Sequence, residues 1–105
     1  MPQLFSLTED AVRDLEQTVA YIAEDSEEAA HRLADTLDHA FHFIARWPNC
    51  GHRRPELTLQ ERVRFWSSAG YLIAYRADIR PVLILAVLHG ARDAESIFTA
   101  RLEDR

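Results

Sequence analysis

At 105 residues the chain has the length of one domain, residues 1–105, and such a domain buries roughly 60 to 70% of the surface its unfolded form would expose, so it needs neither disulfide nor metal to hold a core. A composition of 48% hydrophobic and 28% charged residues with only three glycines excludes a disordered or low-complexity segment. A formal charge of −5 opposes a general attraction to nucleic acid. The longest apolar run, Val82 to Leu88, is far short of the roughly 20 residues that span a bilayer. One cysteine, Cys50, and the lack of a basic stretch leading into an apolar one make a reducing cytoplasm the expected compartment.

In chain order, "PQLFSL" is short and apolar, as an edge strand would be. Thr8 followed by Glu9 and Asp10 reads as a helix cap with acids at the positive end of the dipole. Val12, Leu15, Val19 and Ile22 then recur at helical spacing, which predicts an amphipathic helix over 8–24. "EDSEEAA" interrupts it, with Asp25 or Ser26 capping a second helix whose stripe is Ala30, Leu33, Leu37, Ala40, Phe41 and Ile44 and whose end is set near Trp47 by Pro48. So short a link folds the two helices into an antiparallel hairpin.

"PNCGHRRPELTLQE" is a loop. The period then changes to that of strands in "RVRFW", "YLIAYR" and "VLILAVL", whose short links require antiparallel pairing. The last run lacks polar alternation, so both its faces must be covered. The helical hairpin accounts for one face. Ala94, Ile97, Phe98 and Leu102 in the tail, at helical spacing, supply part of the other, and a partner chain could supply the rest. The expected fold is α+β: an N-terminal edge strand, an antiparallel helical hairpin on an antiparallel β-sheet and a short C-terminal helix.

Charge is unevenly distributed. Met1 to Arg46 carries ten acids and three arginines, a net of −7, whereas Trp47 to Arg92 carries seven arginines against Glu56, Glu61 and Asp78, a net of +4, and the tail from Asp93 adds −2. An acidic half joined to a basic half is consistent with an acidic partner segment, or with ordinary solvated charge. All twelve basic residues are arginine, so no lysine is available as a base, a Schiff-base nucleophile or a phosphate clamp.

His39 and His42, three apart with Asp35 and Asp38 nearby, read as i, i+4 surface pairs rather than a metal site, and no zinc-binding spacing surrounds Cys50. Cys50 and His52 are too close in sequence for a nucleophile and its base. No nucleophile elbow, phosphate-binding glycine loop or paired-carboxylate motif is present, and no cofactor is expected. Arg62 and Arg64 alternate along one strand and so share a face, while His89 and Arg92 bracket Gly90 where the last strand ends. Converging, these groups would make a cationic pocket with one titratable imidazole, suited to gripping carboxylates or stabilising a phosphoryl transition state. The plainer reading is that the two strand arginines mark the solvent face, Gly90 makes a turn and Arg92 pairs with Asp93 or Glu95.

Four stretches together resemble the ParE-like, plasmid-stabilisation branch of the ParE/RelE toxin superfamily. They are "LTEDAVRDLEQTVAYIAE" with Leu15, Tyr21 and Ile22; "PNCGHRRPELTLQER" with Pro48, Gly51, Arg54, Glu56, Leu57 and Arg62; "YLIAYR"; and "VLHGARD". The resemblance runs through nearly the whole chain and implies the toxin of a type II toxin–antitoxin pair, held in a hetero-oligomer by a ParD-like antitoxin. It implies inhibition of DNA gyrase by protein–protein contact, with no sequence-specific nucleic-acid binding of the toxin's own, and Arg54, Arg62, Arg64, His89 and Arg92 as antitoxin- or target-binding residues. RelE-like relatives are instead ribosome-dependent mRNA endonucleases. That chemistry needs a base for the 2′-OH, cations for the phosphorane and an acid for the leaving oxygen, and here it would fall to Arg62, His89 and Arg92. With no lysine, and with Phe98 in the region where such nucleases carry a tyrosine, the departure favours the non-enzymatic branch. A homologue that survives only as a binding module is a third reading.

Overall fold

The structure, a computed structural model, describes residues 4–90 and 94–103. Its elements are β1 (Phe5–Leu7), α1 (Glu9–Asp25), α2 (Glu27–Arg46), a 3-10 turn at Pro48–Cys50, β2 (Val63–Ser68), β3 (Tyr71–Arg76), β4 (Val82–His89) and α3 (Ala94–Glu103). This is the expected α+β order.

The helices begin where capping chemistry places them. The Thr8 side chain accepts the Ala11 N–H and the Ser26 side chain accepts the Ala29 N–H, each ahead of two acids in the first turn. Ser26 also ends α1, its own N–H reaching the Ile22 carbonyl. One extended residue therefore stops one helix and starts the next, and the pair folds back as a hairpin. On α2 the predicted stripe is the buried one, with Ala30, Leu37, Ala40, Phe41 and Ile44 inside; each of the larger side chains contributes about 1.5–3 kcal/mol by burial. The stripe of α1 is rotated from the expected one. Ala11 is its fully buried residue, whereas Val12 is 39% exposed and Leu15 only packs against the core.

The four strands form one sheet in the order β1-β4-β3-β2. The three C-terminal strands are antiparallel as expected, but β1 lies parallel to β4, with Phe5 opposite Val82 and Leu7 opposite Ile84. The sheet is thus mixed, because two helices return the chain across one face before the remaining strands are laid down. Between β2 and β3 the chain turns on Ala69 and Gly70, both at positive φ (53° and 83°), the backbone of a two-residue type I′ hairpin.

The unalternating run of β4 has a physical explanation in a bulge. Ala86 faces Ala74 and Ile84 faces Tyr75, leaving Leu85 unopposed. Side-chain alternation slips by one residue there: Ile84 and Val87 enter the core under the hairpin, while Leu85 and Ala86 both enter a second core on the opposite face. α3 closes that second core with Ala94 and Phe98, both fully buried, and Phe98 stands edge-on to Phe65 at 5.1 Å. The chain therefore covers both faces of β4 itself. Val82, Ile84, Leu85, Ala86 and Val87 are buried without a partner chain, so the expected external cover is not needed for this strand.

α3 is held by a second device that sequence reasoning does not anticipate. Asp14 of α1 accepts two hydrogen bonds from the Arg101 guanidinium, at 2.7 and 2.8 Å, and one from the Val87 backbone N–H at 3.0 Å. β1 ends opposite Ile84, and Asp14 satisfies the edge of β4 beyond that point while tying three elements together. No helix among the described residues is long and apolar enough to cross a membrane.

Candidate functional site

The loop carrying much of the cationic sequence is organised around one phenol. The Tyr75 hydroxyl donates to the Pro48 carbonyl (2.6 Å) and accepts the Gly51 N–H (2.9 Å). Burial, reinforced by the neighbouring Cys50 thiol, raises its pKa well above the ordinary phenol range, so it is a neutral structural bond-maker at any physiological pH. Gly51 is dictated by this approach: a Cβ there would lie 2.5 Å from the Tyr75 oxygen and 2.8 Å from the Phe65 carbonyl. His52 then pairs with Phe65 through two backbone bonds of 2.8 Å, extending the outer edge of the sheet by one rung.

Several candidate residues are absorbed by this scaffold. Arg64 donates to the Gly51 carbonyl at 3.1 Å and so helps lock the loop. Arg62 precedes β2 rather than alternating within it, and its Nε reaches the Gln60 amide oxygen at 3.2 Å. The Cys50 sulfur lies 3.9 Å from the Tyr75 hydroxyl, facing a phenol rather than a base. On α2, His42 Nδ1 lies 2.9 Å from the Asp38 carbonyl and 3.5 Å from its carboxylate, with the ring edge-on to Phe5 at 5.0 Å. Among the described residues no three His, Cys, Asp or Glu side chains are grouped to hold a metal ion.

Open depressions lie at Gln60, Glu61 and Arg62, about 360 Å³, and at the end of the sheet where the β2–β3 turn meets the last residue of β4. Tyr71 pairs with His89 across the strands, and their rings lie 4.9 Å apart. On the hairpin side, Tyr71 and His89 with Gln17, Thr18, Tyr21 and Ile22 of α1 line a depression of about 260 Å³. Tyr21 is 71% exposed there. On the α3 side, Tyr71 with Arg54, Ser67, Gly70, Leu72 and Gly90 lines another of about 230 Å³. Tyr71 thus forms the wall between an aromatic cleft lined by the His89 imidazole and a cleft lined by the Arg54 guanidinium. Such a concentration of tyrosine, histidine and arginine on an exposed concave surface is the composition of an interface anchor.

The structure brings Arg54 and His89 to this end and sets Arg62 elsewhere. The Ala77 N–H bonds to the Arg62 carbonyl, whereas His89 lies opposite Tyr71. The intervening length of β3, at roughly 3.3 Å per residue, is about 20 Å. Arg62 and His89 therefore do not share a reaction centre, and the cationic pocket that would have combined them does not form. Arg92 lies outside the described residues. Proton transfer at a reacting phosphate requires base, acid and cations within hydrogen-bond reach of one another, and the arrangement of Arg62 and His89 does not meet that demand. Phe98 is packed on Phe65 in the core, a position occupied for packing.

Sequence reading misses Tyr71 and Tyr75, which appear in it as strand residues of no special chemistry, and Ser67, which falls in the link after "RVRFW" but lies within β2. Only the glycine before Tyr71 hints that the strand begins at an exposed turn.

The fold is that of a small RelE/ParE-like α+β protein. The family model for the ParE toxin of the type II toxin–antitoxin system parDE matches residues 5–94, and the chain belongs to that family. Among solved structures, the chromosomal ParDE toxin–antitoxin system from P. aeruginosa is similar, with a TM-score of 0.66 and 18% identity over 82% of this chain and 94% of that one. At that identity the likeness is one of fold. A comparison with curated protein sequences gives no match.

Proposed function

We propose that this ParE-family toxin is held in a cytoplasmic hetero-oligomer by a ParD-like antitoxin. When released, it inhibits DNA gyrase by protein–protein contact, without chemistry of its own. The observation that carries the non-enzymatic reading is the separation of Arg62 from His89 by the length of the sheet, fixed by the strand register. The buried, proton-inert Phe98 supports it from the other side of the molecule. Membership of the ParE family supports gyrase as the target, since poisoning of gyrase is what the ParE branch implies.

The docking surface in this reading is the turn end of the sheet, with Arg54, His89, Tyr71 and Tyr21 as its anchors. Arg64 serves it indirectly by fixing the loop from which Arg54 projects. The net charge of −5 agrees with a protein that does not grip a nucleic-acid backbone by itself.

Expression of the His89→Gln chain in a bacterial host tests the reading. Glutamine keeps a polar group against Tyr71 but cannot act as a base near neutral pH. Glutamine replaces one of several anchors by another polar side chain, so growth arrest reversible by the antitoxin is expected to be weakened at most and not abolished. Its loss in a folded variant, together with cleavage of mRNA by the wild-type chain in a translating extract, would move the protein to the nuclease branch.

A further inference from the structure

Arg54 stands apart from the other arginines of the described chain. Each of the others has an acidic, carbonyl, amide or aromatic partner, as Arg101 has in Asp14, Arg76 in Asp78, Arg64 in the Gly51 carbonyl and Arg46 in the Trp47 ring. The remaining ones are matched in the same way. No such partner holds the Arg54 guanidinium among the described residues, although the side chain is half-buried and lines the 230 Å³ depression. The backbone of Arg54 is nevertheless fixed, its carbonyl accepting from the N–H groups of Leu57 and Thr58. A cation on a rigid backbone, in a concave site and with no counter-charge among the described residues, is a prepared anion receptor.

The surroundings restrict the anion. Ser67 contributes a hydroxyl, Tyr71 and Leu72 contribute apolar walls, and a Cβ at Gly70 or Gly90 would meet nothing within 4 Å among the described residues, none of which closes the mouth. Among the described residues the cleft presents one guanidinium, whereas a nucleic-acid backbone is gripped by several cations acting together. The outer edge of β2 offers a further clue. Phe65 directs its N–H and C=O outward to His52, so by the two-residue period Ser67 directs its own outward as well, and no backbone partner meets them among the described residues. An extended polypeptide can add to that open rung and carry a side chain into the cleft beside it.

We infer that the Arg54 cleft receives the carboxylate of a glutamate or aspartate on an extended segment of the antitoxin. The inference rests on the toxin–antitoxin reading for the source of the carboxylate, and on the cleft alone for its chemistry. The guanidinium fork takes the carboxylate side-on, Ser67 donates a third hydrogen bond, and the apolar walls flank the pair.

The test has two arms on the full chain. In the first, N-acetyl-glutamate amide is titrated into the 15N-labelled chain. Saturable shifts are expected at the Arg54 side-chain N–H and at the amides of Ser67, Gly70 and Gly90, absent with N-acetyl-glutamine amide and absent in Arg54→Gln. Shifts that persist in Arg54→Gln, or that do not saturate, would overturn the cleft as a carboxylate site. Tighter binding of inorganic phosphate would overturn the choice of anion.

In the second arm, affinity for the antitoxin is measured for the wild type, Arg54→Gln, Arg54→Lys and Arg62→Gln. A loss of about tenfold to a hundredfold is expected for Arg54→Gln. Partial retention is expected in Arg54→Lys, which keeps the charge but not the fork, and little change in Arg62→Gln at the far end of the sheet. Equal affinity of wild type and Arg54→Gln would remove the antitoxin as the source. An antitoxin that fails to bind even the wild type would defeat the toxin–antitoxin reading itself, and the carboxylate chemistry of the cleft would then stand or fall on the first arm alone.

Discussion

Tyr75 shows how much a single residue can organise. Its hydroxyl serves the Pro48 carbonyl and the Gly51 N–H at once, and the ring is fully buried, so Tyr75→Phe leaves two backbone groups short of a partner. The expected cost is about 2–4 kcal/mol, read as a lower denaturant midpoint. A pH signature follows from the raised phenol pKa. Above pH of about 10 the unfolded chain releases this proton while the folded chain keeps it. The folded state then holds more protons, and stability falls as pH rises. Below that pH the contribution is fully present. Urea midpoints from pH 8 to 11 should fall for the wild type and fall less for Tyr75→Phe; equal alkaline slopes would show that the phenol is not buried as described. Residues of this kind are not legible in the sequence, because a tyrosine within "YLIAYR" reads as one more strand aromatic. Arg64 is misread for a related reason: alternation gives its face of the sheet but not the carbonyl waiting there.

At the scale of elements, α3 is fastened by Phe98 in the core and by Arg101 on Asp14, whose side chain is only 10% exposed. Asp14→Asn keeps the shape but removes the charge, and should cost about 1–3 kcal/mol. Because Asp14 also holds the Val87 N–H, faster amide exchange is expected at Val87 and along α3, with β2 and β3 unchanged. Uniform acceleration throughout the sheet would instead mean that the three elements unfold only as one unit. Most elements can be read from local signals. Thr8 and Ser26 mark helix starts through their caps, Pro48 closes α2, and the switch from helical to strand period locates β2, β3 and β4. The parallel placement of β1, the bulge at Leu85 and the Asp14 bridge are not legible. The first and last join residues more than 70 positions apart, the bulge is a matter of register between strands, and none of the three leaves a periodic trace.

At the scale of the whole molecule, charge and topology act together. The acidic hairpin packs on the sheet, most arginines of the described residues are consumed by local partners, and Arg54 is left available at the turn end with Tyr71. The candidate site is therefore half legible. Arg54 and His89 stand out in the sequence and share that end, whereas Arg62, expected in the same pocket, lies about 20 Å of strand away. Distance along the chain gives no measure of distance across an antiparallel sheet. On the proposed function, the toxin acts by occupying a surface on its target, and its antitoxin acts by occupying the toxin's own. The most direct test is a DNA gyrase supercoiling and cleavage assay with the purified chain, with and without its antitoxin. Accumulation of cleaved DNA that the antitoxin reverses is the predicted result. Unimpaired gyrase in the presence of a folded, antitoxin-binding chain would rule out inhibition by contact.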